Sequence, residues 1–426
     1  MTARLTSETI ALVKATVPAL EQHGLAITRR MYERMFQDPA IRDLFNQSHH
    51  QDAAQPKALA AAVLAYARNI DNLGVLGGAV ERIAQKHVAL NILPEHYPHV
   101  ATSLLGAIAD VLGEAASPEV LGAWGDAYWA LADILIGREA AIYRDLATRP
   151  GGWNGWRDFV VESTEEESSI IRSLILVPAD GGAVLRHKPG QYLGFALDLP
   201  GLGTVRRNYS ISCAPNGRAY RITVKREAEP NVPPGAASNW LHDKAVPGTV
   251  LRVAAPAGDF FLDAPAGAAI DAGHPVDAGK PVALVSGGVG LTPMVSMLET
   301  IAAEQPDRPV WWVHGARNGR VHAMREHVRT LGRRIATFHA TTFYDTPLPE
   351  DRQGEDYEAR GMIPVDMLVQ ATPSDTMFYL CGPKPFLRHQ VRGLVASGVS
   401  TARLRYEFFG PADDILNDDG AKLAAD

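Results

Sequence analysis

The spacing of apolar residues divides the chain into three parts, of which the first has a helical period. From Ser7 to about Ala147, apolar side chains recur three and four positions apart, with breaks at Asp38-Pro39, Leu93-Pro94 and Ser117-Pro118. This spacing is typical of amphipathic helices, and proline marks their ends. The first third is therefore predicted to be entirely helical.

The middle third carries short segments that are rich in branched and aromatic residues. They occupy residues 170–177, 192–197 and 220–225, and turn-forming clusters at 178–182 and 215–217 separate them. Short apolar segments at this spacing are typical of an antiparallel barrel or sandwich. We predict an antiparallel β-barrel here.

In the last third, apolar strand patterns alternate with helical patterns. The strands are PVALVS at 281–286, PVWWVHG at 309–315, IATFHATTF at 335–343 and FYLCGP at 378–383, and the second precedes a predicted helix at 321–331. Such alternation indicates βαβ units and a parallel sheet. This part is predicted to be a nucleotide-type α/β domain.

Stretches rich in glycine, proline and alanine at 147–159 and 264–279 mark the boundaries between these parts. The predicted organisation is multidomain: an all-α domain at 1–148, a linker at 149–158, a β-barrel at 159–264 and an α/β domain at 279–411. The acidic, polar tail at 412–426 is expected to be loosely held.

Composition excludes several classes of protein. The 426 residues are 46% apolar and 21% charged, a balance that supports folded cores, and the net charge of −7 without a basic block makes nucleic acid a poor partner. The longest apolar run, 58–67, is about half of a bilayer crossing, so we expect no transmembrane segment. No export signal is visible, which favours the cytoplasm. Only Cys213 and Cys381 occur, without a CxxCH motif, so a metal would rely on histidine or carboxylate.

Three motifs in the last two thirds could bind phosphate groups. The turn GGVGLTPM at 287–294 follows a strand and opens a helix, so its amides could hold a diphosphate, although Pro293 replaces the last glycine of the dinucleotide fingerprint. In RRNYS at 206–210, a guanidinium could grip phosphate while Tyr209 covers a flat ring and Ser210 donates a hydrogen bond. GAASNWLH at 235–242 is a second candidate anion cradle. Alone, the glycine turn is equally compatible with an ordinary tight turn, and an aromatic residue on a strand is more often part of an ordinary core.

In this order, RRNYS, GAASNWLH, GGVGLTPM, YLCGP at 379–383 and YEFFGP at 406–411 resemble the flavin module of the ferredoxin-NADP reductase type. The resemblance implies an FAD-binding barrel followed by an NAD(P)-binding domain, with hydride passing from nicotinamide to flavin. It assigns FAD contacts to Arg207, Tyr209, Ser210 and Gly235, Ala236, Ala237 and Ser238, and places Phe409 near the flavin ring. Further cofactor positions are Tyr192, Asn208, Phe408, Gly410 and Pro411. The nicotinamide cofactor would border Gly287, Gly288, Val289, Gly290, Leu291, Thr292, Cys381, Gly382 and Pro383.

The helical third contains one histidine on an apolar stripe. In GAVERIAQKHVAL, His87 shares a helical face with Val80, Ile83, Ala84 and Leu90, so it is predicted to point inward. Tyr32, Met35 and Phe36 share a second face, and Gln55, Leu59, Val63 and Tyr66 share a third. Such faces could form a dry slot for a flat cofactor, or simply the core of a helical bundle.

MYERMF, LFNQS, IAQKH, PEHY and GREAAIY resemble a bacterial globin, and with the reductase module the chain resembles the flavohemoglobin family from about residue 1 to 411. The resemblance implies non-covalent haem b with His87 as the proximal iron ligand. It places Tyr32, Gln55, Leu59 and Phe45 on the distal side, and a relay of Tyr97 and Glu139 behind His87. Lys86 and Glu407 would lie between haem and flavin, as electron-transfer residues.

The family activity implied is nitric oxide dioxygenase, which forms nitrate from NO and O2 with electrons from NADH or NADPH through FAD. No obligate protein partner is visible. Two alternatives stay open: a hydroperoxide or general flavin reductase with a cavity shaped by Leu59, and an oxygen-binding sensor or store. The choice between NADH and NADPH also stays open, although Arg317 is a plausible partner for a 2′-phosphate.

Two further expectations concern local structure. Pro56 restricts Gln55 to extended backbone, so Gln55 is expected just before its helix. Without the family resemblance, Tyr97 would be taken to close a loop and Glu139 to cap a surface helix.

Overall fold

The computed structural model describes residues 5–42, 44, 54–228, 233–262 and 279–410. Phe45, Pro411 and the acidic tail lie outside the described residues, so the predictions for them stay predictions. Within these ranges, no helix combines the length and the hydropathy that crossing a membrane demands.

The first part is helical, as predicted, and proline opens several of its elements. Thr6 caps the first helix with its side chain, which accepts a hydrogen bond from the backbone N–H of Thr9, and Ser117 caps the last in the same way. Most of these helices pack into one core, which includes Ile27, Met31 and Trp124, and a second, smaller cluster involves the other helix faces. The helices are α1 Ser7–Ala15, α2 Val17–Met35, α3 Pro39–Arg42, α4 Ala54–Arg68, α5 Gly77–Ala89, α6 Tyr97–Leu112 and α7 Pro118–Thr148.

The second part is a six-stranded antiparallel sheet with the strand order β4-β3-β6-β1-β2-β5. An antiparallel bridge between Ile211, just after β4, and Ile222 in β5 joins the two edges of the sheet, which closes it into the predicted barrel. The barrel core is dry and includes Phe159, Phe195 and Tyr220. The elements are β1 Arg157–Glu166, β2 Ile171–Pro178, β3 Tyr192–Leu199, β4 Gly203–Ser210, β5 Tyr220–Lys225, α8 Ala236–Lys244 and β6 Val250–Val253.

The third part is the predicted parallel sheet, with the strand order β10-β9-β8-β7-β11-β12. The predicted helix at 321–331 is shorter in the structure, because Met324 adopts φ +58°, a left-handed conformation that interrupts a helix before residue 325. The strands are β7 Val282–Gly287, β8 Val310–Ala316, β9 Phe338–Tyr344, β10 Ala359–Arg360, β11 Met377–Cys381 and β12 Leu404–Glu407. The helices are α9 Leu291–Glu304, α10 Arg325–Gly332, α11 Val365–Ala371 and α12 Lys384–Ala396.

Candidate functional site

A hydrogen-bonded triad holds the histidine of α5. The His87 Nδ1 atom lies 2.7 Å from Glu139 Oε1 and 3.2 Å from the Tyr97 hydroxyl, and that hydroxyl donates to the same carboxylate oxygen at 2.6 Å. Glu139 is 2% exposed in the middle of α7. The expectation that it caps a surface helix is therefore wrong. Burial raises the pKa of Tyr97 well above its usual value, and the bond to Glu139 raises it further, so this phenol stays protonated.

The triad leaves the opposite nitrogen of His87 available as a possible ligand atom. Because Nδ1 faces the carboxylate, the ring presents Nε2, and its side chain is still 31% exposed although apolar residues surround it on α5. One imidazole with a carboxylate behind it is the donor set that haem iron uses, since the porphyrin supplies the other ligands. The residues present therefore fit haem.

Tyr32 and Gln55 come together on the other side of the helical core. Tyr32 is 6% exposed, and its ring centroid lies 5.5 Å from that of Phe36. Burial raises the pKa of Tyr32, and a hydrogen bond with Gln55 lowers it in part. The buried Oε1 atom of Gln55 has no hydrogen-bond partner in the described part of the chain, which fits a pocket that receives a small polar ligand. Leu59 packs against the same core.

The expectation that Gln55 precedes its helix is wrong, because α4 begins at Ala54 and includes Gln55 in its first turn. Pro56 is tolerated there since the first N–H groups of a helix have no intrahelical partner. The carbonyl of Pro56 accepts a hydrogen bond from Thr28 at 2.9 Å, which fixes this turn against α2.

On the barrel, β4 presents the residues predicted to bind FAD. Burial lowers the pKa of Arg207, and its guanidinium donates to the carbonyl of Arg206 at 2.7 Å. Tyr209 packs edge-on against Phe195 with 5.6 Å between ring centroids, and Ser210 is buried, whereas Asn208 is exposed. Alternation along the strand thus puts Arg207 and Tyr209 on one face.

The second cradle predicted on the barrel is the start of α8. Gly235 is the cap residue and makes no side-chain capping bond. The Ser238 hydroxyl donates to the Gly235 carbonyl at 3.0 Å and accepts from the Glu227 N–H at 3.2 Å, so it holds the turn itself. Ala237 packs in the barrel core, which leaves the backbone of 235–238 as the surface that could meet a diphosphate.

The predicted nicotinamide site combines two neighbouring strand ends. Gly287 ends β7, a short turn of Gly288–Gly290 follows, and α9 begins at Leu291. Cys381 at the end of β11 is the register partner of Ser286 in β7, so the segment 381–383 adjoins this turn. A Cβ atom at Gly290 would lie 2.2 Å from the carbonyl oxygen of Cys381, and therefore only glycine permits this close approach. Leu291 is buried in the core, and the Thr292 hydroxyl donates to the Val289 carbonyl at 3.0 Å.

The three parts meet around the predicted electron-transfer residues. Lys86 donates to the carbonyl of Gly410 at 3.4 Å. Burial raises the pKa of Glu407 to about 7, against the lowering effect of Lys86 and together with the negative charge of Asp259. Phe408 packs on the core of the α/β domain, whereas Phe409 beside it is 44% exposed. An exposed phenylalanine ring at this junction fits a site that a flat cofactor would cover.

Several contacts at the same junction could not be predicted from the sequence. Gln85 accepts a hydrogen bond from the Gly258 N–H at 3.0 Å, and Tyr192 packs with Ala89 of α5. Gly194 faces the carbonyl of Ala89. These contacts join residues more than a hundred positions apart, so local periodicity carries no signal for them. Gly194 inside the apolar strand β3 is a local signal, because a glycine within a strand indicates a close approach of another backbone.

Family models match two parts of the chain. The model described as Globin matches residues 29–135, and the model described as Oxidoreductase NAD-binding domain matches residues 284–392. Among curated relatives, a flavohemoprotein from Xylella fastidiosa is 51% identical over 97% of this chain and 99% of its own length. A flavohemoprotein from Rhizobium meliloti is 46% identical over 96% of this chain and 98% of its own length.

Solved structures are also similar in fold to this chain. A flavohemoglobin from Malassezia yamatoensis, solved with bound FAD and heme, has a TM-score of 0.81 and 24% identity over 95% of this chain and all of its own. The FAD/NAD binding domain of nitric oxide dioxygenase from Vibrio cholerae has a TM-score of 0.52 and 36% identity, over 60% of this chain and 99% of its own.

Proposed function

Because the chain belongs to the flavohemoprotein family, as near full-length identities of up to 51% show, we propose that this oxidoreductase is an NAD(P)H-dependent nitric oxide dioxygenase. The observation that carries the proposal is the triad of His87, Glu139 and Tyr97. A buried carboxylate on Nδ1 makes the imidazole a stronger electron donor, which favours oxygen activation over simple oxygen storage.

When bound, FAD would accept hydride from NADH or NADPH and pass single electrons to haem b, whose iron would allow NO and O2 to combine to nitrate. Nε2 of His87 would hold the iron. Arg207, Tyr209 and Ser210 would hold FAD, with the backbone of 235–238 at its diphosphate. The turn at 287–292 and the segment 381–383 would receive the nicotinamide cofactor.

On the distal side, Tyr32 would supply a polar contact to a bound ligand, with Gln55 beside it. Burial raises its pKa, so the phenol stays protonated at neutral pH and can donate to a ligand on which negative charge develops. Gln55 lowers that pKa, as expected when its amide donates to the phenol oxygen, which leaves the phenol proton for the ligand. Leu59 and Phe36 limit the access of water to this side.

Lys86 and Glu407 meet where the helical part approaches the strand end of the α/β domain. The positive charge of Lys86 opposes the protonation of Glu407. A charge pair at this position adjusts the local potential between the two redox groups, and we therefore assign both residues to electron transfer.

The test is NADH-driven consumption of NO by the purified holoprotein, followed with an NO electrode and a nitrate assay. We expect one nitrate per NO, and a loss of roughly 100-fold in turnover for Tyr32→Phe, because a donor to developing charge is worth that much. Tyr66→Phe is the matched control: Tyr66 is a second buried tyrosine of the same core, and its hydroxyl bonds the Ala127 carbonyl at 2.7 Å.

Unchanged turnover in Tyr32→Phe would contradict the role of this residue. Faster turnover with an alkyl hydroperoxide than with NO would favour the general reductase instead. Slow reaction of the oxygenated protein with NO would favour an oxygen sensor or store.

A further inference from the structure

The C-terminal end of α5 lies directly on the strands that carry the FAD-binding residues. A Cβ atom at Gly194 of β3 would lie 1.8 Å from the carbonyl oxygen of Ala89, so the helix end touches bare backbone. Gln85, one turn earlier, accepts the hydrogen bond from Gly258 at 3.0 Å. The face of α5 formed by Gln85 and Ala89 therefore docks on the barrel, while His87 points elsewhere.

Arg206 of β4 joins this helix end to two other parts of the chain. Its guanidinium donates to the carbonyl of Leu90, the residue that caps α5, and lies 5.4 Å from the ring centroid of Trp156 in the linker. The last carbonyls of a helix have no intrahelical partner and carry its partial negative charge. An arginine there satisfies one such carbonyl and complements that charge.

We propose that Arg206 is a positioning residue for electron transfer, which fixes the haem-bearing helix against the flavin-bearing strand. Leu90 follows His87 by less than one helical turn, and Arg206 is adjacent in sequence to Arg207. A single hydrogen bond from Arg206 thus joins the chain segment of the proposed iron ligand to the segment of the proposed FAD contact. Each transfer oxidises reduced flavin by one electron and reduces ferric iron to ferrous, with NADH as the source of electrons.

This inference rests on the proposed function only in requiring bound haem and FAD, and its test uses no NO. Holoprotein is mixed with NADH without oxygen in a stopped-flow instrument, and flavin bleaching and haem reduction are recorded separately. For Arg206→Gln we expect flavin bleaching at the wild-type rate and haem reduction slowed roughly tenfold, the value of a lost charged hydrogen bond. Arg206→Lys keeps a charged donor and should restore most of the rate.

A second variant tests the same contact from the other strand. In Gly194→Ala, the new methyl group must move away from the Ala89 carbonyl to reach ordinary van der Waals contact of 3.4 Å, and a displacement of this order can slow a positioned reaction by roughly 10- to 100-fold. Controls are Arg252→Ala, which removes an exposed ion pair with Asp198 on the same barrel, and Gly122→Ala, where the methyl group has open space.

Hydrogen exchange of the holoprotein gives a readout independent of electron flow. In Arg206→Gln and Gly194→Ala, we expect faster exchange of the amides at 86–92 than in wild type or the controls. Wild-type haem reduction with unchanged exchange in both variants would overturn the inference. So would an equal slowing of flavin bleaching and haem reduction, because that result indicates general damage. Failure of wild type to consume NO, with these rate differences intact, would refute only the proposed function.

Discussion

The charge of Glu139 should set the reduction potential of the bound haem, and Glu139→Gln isolates that charge. The substitution preserves the size of the side chain and an oxygen that can accept from His87 Nδ1 and from the Tyr97 hydroxyl, which lie 2.7 and 2.6 Å from the carboxylate oxygen. The negative charge is removed, and an NH2 group takes the place of the second carboxylate oxygen. Since Glu139 is 2% exposed, water cannot replace that charge.

The size of the effect follows from the strength of such contacts. Removing a partner behind a metal ligand typically changes affinity or activity by roughly 10- to 100-fold. A tenfold change in a one-electron equilibrium corresponds to about 59 mV. The carboxylate stabilises ferric iron more than ferrous iron, because the ferric form carries more positive charge. Glu139→Gln should therefore raise the midpoint potential by roughly 60 to 120 mV.

A spectroelectrochemical titration of the haem band measures this potential directly. Glu81→Gln is the matched control, because Glu81 on α5 pairs with Arg138 of α7 at 2.6 Å between the same two helices. We expect the control to keep the wild-type potential. A lower or unchanged potential in Glu139→Gln would refute the reasoning that the buried charge acts through His87.

Three further predictions concern pH, nucleotide binding and stability. Burial raises the pKa of Glu407 from 4.5 to about 7, so the native state binds this proton more tightly, and unfolding free energy should fall by about 3 kcal/mol between pH 4.5 and 7. Urea titrations should show that Glu407→Gln removes this loss. Gly290→Ala places a methyl group 2.2 Å from the Cys381 carbonyl oxygen, and should raise the KM for NADH in flavin reduction by roughly tenfold or more. Tyr66→Phe removes a buried hydrogen bond to the Ala127 carbonyl, which keeps its bond within α7, and should cost roughly 0.5 to 1.5 kcal/mol in thermal unfolding.

Each of these has an outcome that contradicts it. The same pH dependence in Glu407→Gln and wild type would mean that this carboxylate titrates normally. A wild-type KM in Gly290→Ala, with Gly122→Ala as the control, would show that the turn at 288–290 accommodates a side chain. Unchanged unfolding of Tyr66→Phe would show that this hydrogen bond adds nothing to the stability of the protein.

Local pattern predicted the elements well because each carries its own periodicity. Residues 220–225 were predicted as a strand with the bounds that β5 has, since turn-forming residues delimit it on one side. Met324 shows a limit of prediction from local pattern. No residue near it in the sequence indicates a left-handed backbone, so the predicted start of α10 is wrong. The prediction for Gln55 is wrong for a related reason. A proline near a helix start is compatible both with the first turn of the helix and with a boundary just before it.

The candidate site divides in the same way between local and distant contributions. The position of His87 on an apolar stripe predicts that it points inward. Its partners Tyr97 and Glu139 lie on other helices, and only the family resemblance indicates them. Arg206 lies within the motif RRNYS, yet the acceptor of its hydrogen bond is a main-chain carbonyl, and every residue has a main-chain carbonyl. A contact to the backbone does not constrain the residue type of the partner, and therefore it cannot be predicted from the partner's sequence.

Such contacts to main-chain atoms have a consequence for the exchange of domains between proteins. Because the barrel contacts Ala89 and Leu90 through their carbonyl oxygens, this part of the contact depends on where the proximal helix ends, and Gln85 adds a side-chain contact to Gly258. A foreign globin grafted at residue 148 should therefore dock only if its proximal helix has the same length after the histidine and keeps a hydrogen-bond acceptor at the position of Gln85. Adding or deleting one residue there would rotate and shift the helix end, and should uncouple the graft.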